Sequence, residues 1–198
     1  MKKLSLLALI EVSFFAAFAL ILDLLPSFKP IPNMSISFAM IPIFILAFRW
    51  GFRASLVAGL LWGLLQIVFD AWIVHPVQAV FDYLFAFTFI GFAGLLYNPI
   101  QKELRSKNKK KALAFVVAAI FIGSVARYFW HFLSGVIFIK YFAPEVTSPI
   151  FYSFAINGTT MLGAFIVCSI ILVLILASAP QLVIRKDHLS AMSGKKAS

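Results

Sequence analysis

"ALAFVVAAIFIGSVARYFWHFLSGVIFIKY", residues 112–141, runs for thirty residues with only Arg127, His131 and Lys140 able to carry positive charge. A helix rises about 1.5 Å per residue and the hydrocarbon core of a bilayer is about 30 Å thick, so about 20 apolar residues cross it. This stretch is longer than that. The rest of the chain shares its character: 63% of residues are hydrophobic, 23 are phenylalanine and only 12% are charged, with mean hydropathy +1.01. Soluble domains carry about 25% charged residues. The chain therefore reads as an all-α integral membrane protein.

Working outward from residues 112–141, six apolar segments are expected as transmembrane helices: Leu4 to Leu25, Ser37 to Phe48, Arg53 to Val74, Val77 to Tyr97, Ala112 to Tyr141 and Ile150 to Leu182. The second is the shortest and contains Pro42. Basic residues test the count, because lysine and arginine accumulate on the cytoplasmic side. With six spans and an inside N-terminus, 14 of the 17 lysines and arginines fall on the cytoplasmic side, including the run "QKELRSKNKKK". Lys29 and Lys140 fall outside, and Arg127 lies within a span. Both termini are accordingly expected in the cytoplasm, and the basic run reads as an anchor for anionic headgroups of the lipid bilayer, not as a nucleic-acid site. "MKK" and "AFA" imitate a signal peptide, but the apolar run continues to Leu25, so the first segment is kept as a helix. Residues 1–182 are expected to form one transmembrane domain and 183–198 a basic cytoplasmic tail.

An ionisable group at bilayer depth costs roughly 2.5 to 3.5 kcal/mol on insertion scales, so it normally faces a protein-lined cavity and has a partner. Asp82, Arg127 and His131 meet that description, with Gln66, Gln78 and Asn157 as uncharged companions. Asp23, Asp70 and His75 fall near predicted outer ends and read as solvated helix termini. Glu11 is deeper, within reach of Lys2 or Lys3. In "HPVQAVFDYLFAF", residues 75–87, Gln78 and Asp82 stand four apart on one helical face, and Tyr83 lies about 100° round from Asp82. Asp82 either serves a ligand or pairs with Arg127 as a lock between two helices.

Arg127, His131 and Gly135 recur every four residues and form one stripe, with glycine leaving room for a ligand or a neighbouring backbone. In "SPIFYSFAINGTTM", residues 148–161, Asn157 can donate and accept together, as a heteroaromatic ring requires. Tyr152 is either an interfacial belt aromatic or a pocket wall, and it shares a pocket with Asn157 only from the lip or a frayed first turn. Cys168 is the only cysteine, which excludes an internal disulfide and a thiolate metal cluster. No cofactor or metal is expected.

"IPIFILAFRWG", "HPVQAVFDYLFAF", "IGSVARYFWHFLSG" and "FAPEVTSPIFYSFAINGTTM" together resemble the thiamine-specific substrate-binding subunits of energy-coupling factor transporters. The resemblance covers nearly the whole chain. It implies a six-helix vitamin-binding subunit with a pocket near the outer face, capped by the loop between the first two helices. It also implies that Asp82, Tyr83, His131, Gly135, Tyr152 and Asn157 bind thiamine; Arg127 and Gln78, read from their intramembrane positions, are expected as pocket or structural partners. The chain departs from the family pattern in the capping loop, where Phe28 stands in place of tryptophan, and at Ile156, where relatives often carry tyrosine.

Thiamine pairs a cationic thiazolium with a neutral aminopyrimidine. It calls for a carboxylate, aromatic faces and paired donors and acceptors.

No "GxxxxGK[ST]" phosphate loop occurs, so ATP hydrolysis by the usual route would need another chain. The resemblance implies a transmembrane coupling protein carrying two cytoplasmic ATPases. Ser13 and Ala17, small residues four apart on the first helix, are assigned to its interface by that resemblance; packing against the chain's own helices is the alternative. A self-sufficient secondary transporter using Asp82, Arg127 and His131 as a proton relay is the second functional expectation. A membrane enzyme is disfavoured, because neither "HExxH" nor "GxSxG" is present.

Overall fold

The structure, a computed structural model, describes residues 4–25 and 36–185. Readings that fall on Lys2, Lys3, Phe28, Lys29, Lys186, Lys195 and Lys196 lie outside the described residues. All regular elements among the described residues are helical: α1 (Leu6–Leu24), α2 (Ile41–Trp50), α3 (Phe52–Phe69), α4 (Pro76–Arg105), α5 (Lys109–Phe142) and α6 (Pro149–Ser178). A 3₁₀ turn at Pro180–Leu182 follows. Five of the helices are long and apolar enough to cross a bilayer.

The exception is α2, whose ten residues rise only about 15 Å. The expected second span is thus half a bilayer in length. Its sequence explains why it is nonetheless helical: Pro42 occupies the first turn, where no intrahelical N–H is lost. Ile43, Phe44, Leu46, Ala47 and Phe48 are fully buried, so α2 is a plug packed among α1, α3 and α4 and shielded from lipid. Gly51 ends it with φ +80°, a conformation that favours glycine, and the chain turns directly into α3.

Other boundaries move for local reasons. The third span stops at Phe69, not Val74, and residues 70–75 form a loop that ends where His75 Nδ1 accepts from Val77 N at 3.1 Å to cap α4. The fourth runs on to Arg105, so most of the expected basic loop is helix and only residues 106–108 turn. Asn108 then caps α5 through Lys111 N. The sixth ends at Ser178.

Within α4 the backbone is α-helical only in part. Val80–Phe85 is a π-helical turn and Ile90–Leu96 is 3₁₀. Gly63 of α3 packs directly on the π turn, where an added Cβ would lie 2.0 Å from the Tyr83 carbonyl oxygen. Helices in lipid lack a hydrophobic drive to associate and rely on such close approach.

Hydrogen bonds identify the two ends of the bundle. At one end Glu11, Arg49, Trp50 and the Leu182 carbonyl are joined, and Gln101 Nε2 donates to the carbonyls of Phe48 (2.7 Å) and Val183 (2.8 Å). This end also carries Arg53, the basic residues between Lys102 and Lys111, and Arg185. Among the described residues Glu11 is bonded to Arg49, at 2.6 and 3.0 Å, and to Trp50 Nε1 at 2.7 Å; the expected pairing with Lys2 or Lys3 lies outside the described residues. The opposite end carries the 70–75 and 143–148 connections and Lys140. His131 lies about 33 Å along α5 from Lys109, close to that opposite end.

Candidate functional site

The π turn of α4 holds Asp82, a position where an extra residue per turn widens the helix; such turns recur at functional sites. Three donors converge on its carboxylate. Gln78 Nε2 and Ser134 Oγ each donate to Oδ2 at 2.7 Å, and His131 Nδ1 lies 2.9 Å from Oδ1. Gln78 and Ser134 are almost wholly buried, at 3% and 2% exposure, whereas the Asp82 side chain keeps 19%. A carboxylate so supplied with donors is held in its acceptor form while part of it stays open to a guest.

Asp82 is not locked onto Arg127. Arg127 Nε instead donates to His131 Nε2 at 3.1 Å, and its guanidinium lies over the rings of Phe87 (4.6 Å) and Trp62 (5.4 Å). Those faces satisfy a cation in a dry setting. The stripe expected from the sequence thus exists, and it forms a chain Arg127 to His131 to Asp82.

A cavity of about 430 Å³ opens beside this chain, within the range of small-molecule sites. Asp82, Tyr83, His131, Gly135, Tyr152 and Asn157 all line it, as do Gln78 and Arg127. Tyr152 reaches it from the first turn of α6, the condition the helical spacing imposed. Asn157 Nδ2 donates to Ser153 O and Ser153 Oγ, both at 3.1 Å, and more weakly to His131 O at 3.4 Å. This leaves its Oδ1 as an acceptor without a hydrogen bond among the described residues. Gly135 serves the neighbouring helix, not open space: an added Cβ would lie 2.3 Å from Ser153 Oγ.

Several lining residues escaped the sequence reading. Trp72 comes from the 70–75 loop, which is tied down where its backbone N–H donates to Tyr83 Oη at 2.8 Å and where Val74 N donates to Gln78 Oε1 at 3.2 Å. Ser134 and Phe87 carry no charge to mark them. Asp23, expected as a solvated helix end, also lines the cavity, because Ser37 Oγ donates to its Oδ1 at 3.3 Å and holds it against the start of α2. Gln66, already expected as an uncharged companion of the cluster, lines it too, with its buried Oε1 unpaired among the described residues. Asp70 remains exposed at a helix end, as expected. A smaller cavity of about 230 Å³ shares Asp23, Arg127, His131 and Asn157 with the first and continues between Ser37, Met40, Ser124 and Thr160.

Ser13 and Ala17 are exposed on the outer face of α1, while Ala16 beside them is buried inward. Among the described residues the small pair therefore does not pack against the other helices.

A helical membrane protein with a polar, aromatic-lined chamber between its spans belongs to the class that binds and moves small solutes. The particular family follows from comparison: the chain belongs to the thiamine transporter protein family (Thia_YuaJ), whose family model matches residues 9–184. It is 43% identical over 180 residues to the thiamine transporter ThiT of Bacillus subtilis (strain 168), covering 89% of this chain and 94% of that protein. The thiamine transporter ThiT of Lacticaseibacillus paracasei is 33% identical over 186 residues, covering 92% of each chain. The solved structure of ThiT from Listeria monocytogenes superposes with a TM-score of 0.86 at 37% identity, covering 91% of this chain and 98% of that one. Membership and the long apolar helices make this a multi-pass plasma-membrane transport protein.

Proposed function

We propose that this chain captures thiamine as the substrate-binding subunit of an ATP-driven energy-coupling factor transporter. The observation that carries the reading is the Asp82 carboxylate, met by Gln78, Ser134 and His131 at the edge of a chamber flanked by Tyr83 and Tyr152. The carboxylate attracts the cationic vitamin, the tyrosine rings flank it, and Asn157 Oδ1 accepts from the aminopyrimidine. His131 and Gly135 form the wall behind it. The clustering of basic residues at the far end supports an orientation with that end and both termini in the cytoplasm, so that the chamber faces outward. Residues 1–182 act as one substrate-binding domain, and energy comes from a transmembrane coupling protein with two cytoplasmic ATPases. The exposed small pair Ser13 and Ala17 offers that protein a docking face.

The test is quenching of intrinsic fluorescence by thiamine in purified protein, with Asp82→Asn in parallel. The wild type should bind saturably and the variant should lose about 100-fold in affinity, the scale for an unscreened charge contact. Absence of saturable binding, or equal affinity of the two proteins, would refute the reading. The hydrogen-bonded chain Arg127 to His131 to Asp82 favours one rival, a proton-coupled secondary transporter. Thiamine uptake that persists in cells lacking the coupling ATPases would establish that rival instead.

A further inference from the structure

We propose that Asp23 is a specificity-determining residue of this chamber, supplying the net negative charge by which it selects a cationic ring over an uncharged one. The inference rests on the thiamine reading above and adds a residue to it.

The argument is a count of formal charge. Asp82 and Arg127 both line the larger cavity, and their charges cancel. His131 adds nothing, because its Nε2 accepts a hydrogen bond from Arg127 Nε–H, so this nitrogen carries no proton and the neutral ring has its hydrogen on Nδ1. Tyr83 and Tyr152 are neutral phenols, as is Tyr128 in the smaller cavity. With these groups alone the formal charges of the described lining residues sum to zero, and the pull of Asp82 on a cation is opposed by Arg127. Asp23 lines both cavities and, among the described residues, brings the sum to one negative charge, the complement of a single thiazolium.

The geometry keeps that charge available. Among the described residues Asp23 forms no ion pair with Arg127, whose Nε is held by His131 and whose guanidinium covers Phe87 and Trp62. Ser37 Oγ, which itself accepts from Ala39 N at 3.1 Å, donates to Asp23 Oδ1 and fixes the carboxylate beside the cavity. Charges inside a partly dry chamber are screened weakly, so a second carboxylate acts on a guest that it need not touch.

The experiment compares binding of thiamine with binding of an analogue whose thiazolium is replaced by an uncharged isosteric ring, using the full-length protein in detergent. Asp23→Asn should lower the ratio of the two affinities about tenfold, equivalent to about 1.4 kcal/mol. Arg127→Gln, which removes the positive charge instead, should raise the ratio. Ser37→Ala removes the clip but keeps the carboxylate, and should leave the ratio near that of the wild type. An unchanged ratio in Asp23→Asn, or equal weakening of both ligands in Asp23→Asn and Ser37→Ala, would overturn the proposal and reduce Asp23 to a structural clip. If the wild type binds no thiamine, the underlying reading fails as well. If it binds and Asp82→Asn weakens binding while the Asp23→Asn ratio stays unchanged, only the present inference fails.

Discussion

Arg127 Nε lies 3.1 Å from His131 Nε2, one turn along the same helix, and this contact sets the tautomer on which the site depends. A guanidinium does not give up its proton, so the imidazole must accept there and carry its own hydrogen on Nδ1, facing Asp82 Oδ1 at 2.9 Å. The histidine thereby passes a donor to the carboxylate without adding charge to the chamber.

Two substitutions separate its two jobs. His131→Asn keeps a donor near the Nδ1 position and removes the acceptor for Arg127; His131→Gln does the reverse. Loss of a hydrogen bond to a charged group costs about 1.5 to 3 kcal/mol. His131→Gln should therefore weaken thiamine binding at least about tenfold with little change in melting temperature. His131→Asn should lower the melting temperature more than it weakens binding. Titration of both variants alongside thermal unfolding in detergent checks the crossover, and parallel losses in both variants would contradict it.

Gly135→Ala tests how tightly α5 and α6 meet. The new Cβ would lie 2.3 Å from Ser153 Oγ, which cannot swing away freely because it donates to the Phe132 carbonyl at 2.8 Å and accepts from Asn157. Overpacking of this kind costs about 1 to 3 kcal/mol. The variant should melt several degrees lower and bind thiamine more weakly, since Asn157 moves with Ser153. Adding Ser153→Gly should restore much of the melting temperature, which a thermal shift assay would read.

The sequence made some of this legible and hid the rest for definite reasons. Ionisable residues in apolar runs are costly, so Asp82, Arg127 and His131 marked themselves, and helical spacing put the last two on one stripe. Asp23 does sit at the end of α1, but span length says nothing of which way it faces; its inward turn depends on Ser37, fourteen residues further along. Trp72 and Ser134 are ordinary residues whose roles come from a loop fold and a helix packing angle. The π turn that carries Asp82 leaves no mark in composition. The half-length of α2 was foreshadowed by its few apolar residues, but the burial of most of its side chains appears only once α1, α3 and α4 are assembled around it.

The Glu11–Arg49 pair should matter for stability and not for affinity. It sits at the basic end with Trp50 Nε1 and the Leu182 carbonyl, away from the chamber, and its side chains are 18% and 24% exposed. Glu11→Ala leaves three donors of a mostly buried cluster, Arg49 Nε and Nη2 and Trp50 Nε1, without their acceptor, a loss of about 1 to 3 kcal/mol after allowing for partial solvation. Melting temperature should fall while thiamine affinity stays within about twofold, a change worth only about 0.4 kcal/mol. Glu11→Leu with Arg49→Met, which removes both charges, should regain part of the loss. A large change in affinity would show that the two ends are coupled.

The outer face of α1 gives the last prediction. Ser13 Oγ is turned back onto the Leu9 carbonyl at 3.1 Å, so this face presents little polarity, and Ala17 leaves it shallow next to Phe14 and Phe18. In lipid a shallow strip permits a partner helix to approach closely, whereas bulk placed there holds it off. Ala17→Trp should therefore leave thiamine binding by the isolated protein unchanged, because the side chain points away from the chamber. The same variant should reduce ATP-dependent uptake in cells severalfold and co-purify less of the coupling protein. If this face met only lipid, a tryptophan would be tolerated in both assays, and unimpaired uptake would remove Ser13 and Ala17 from the proposed interface.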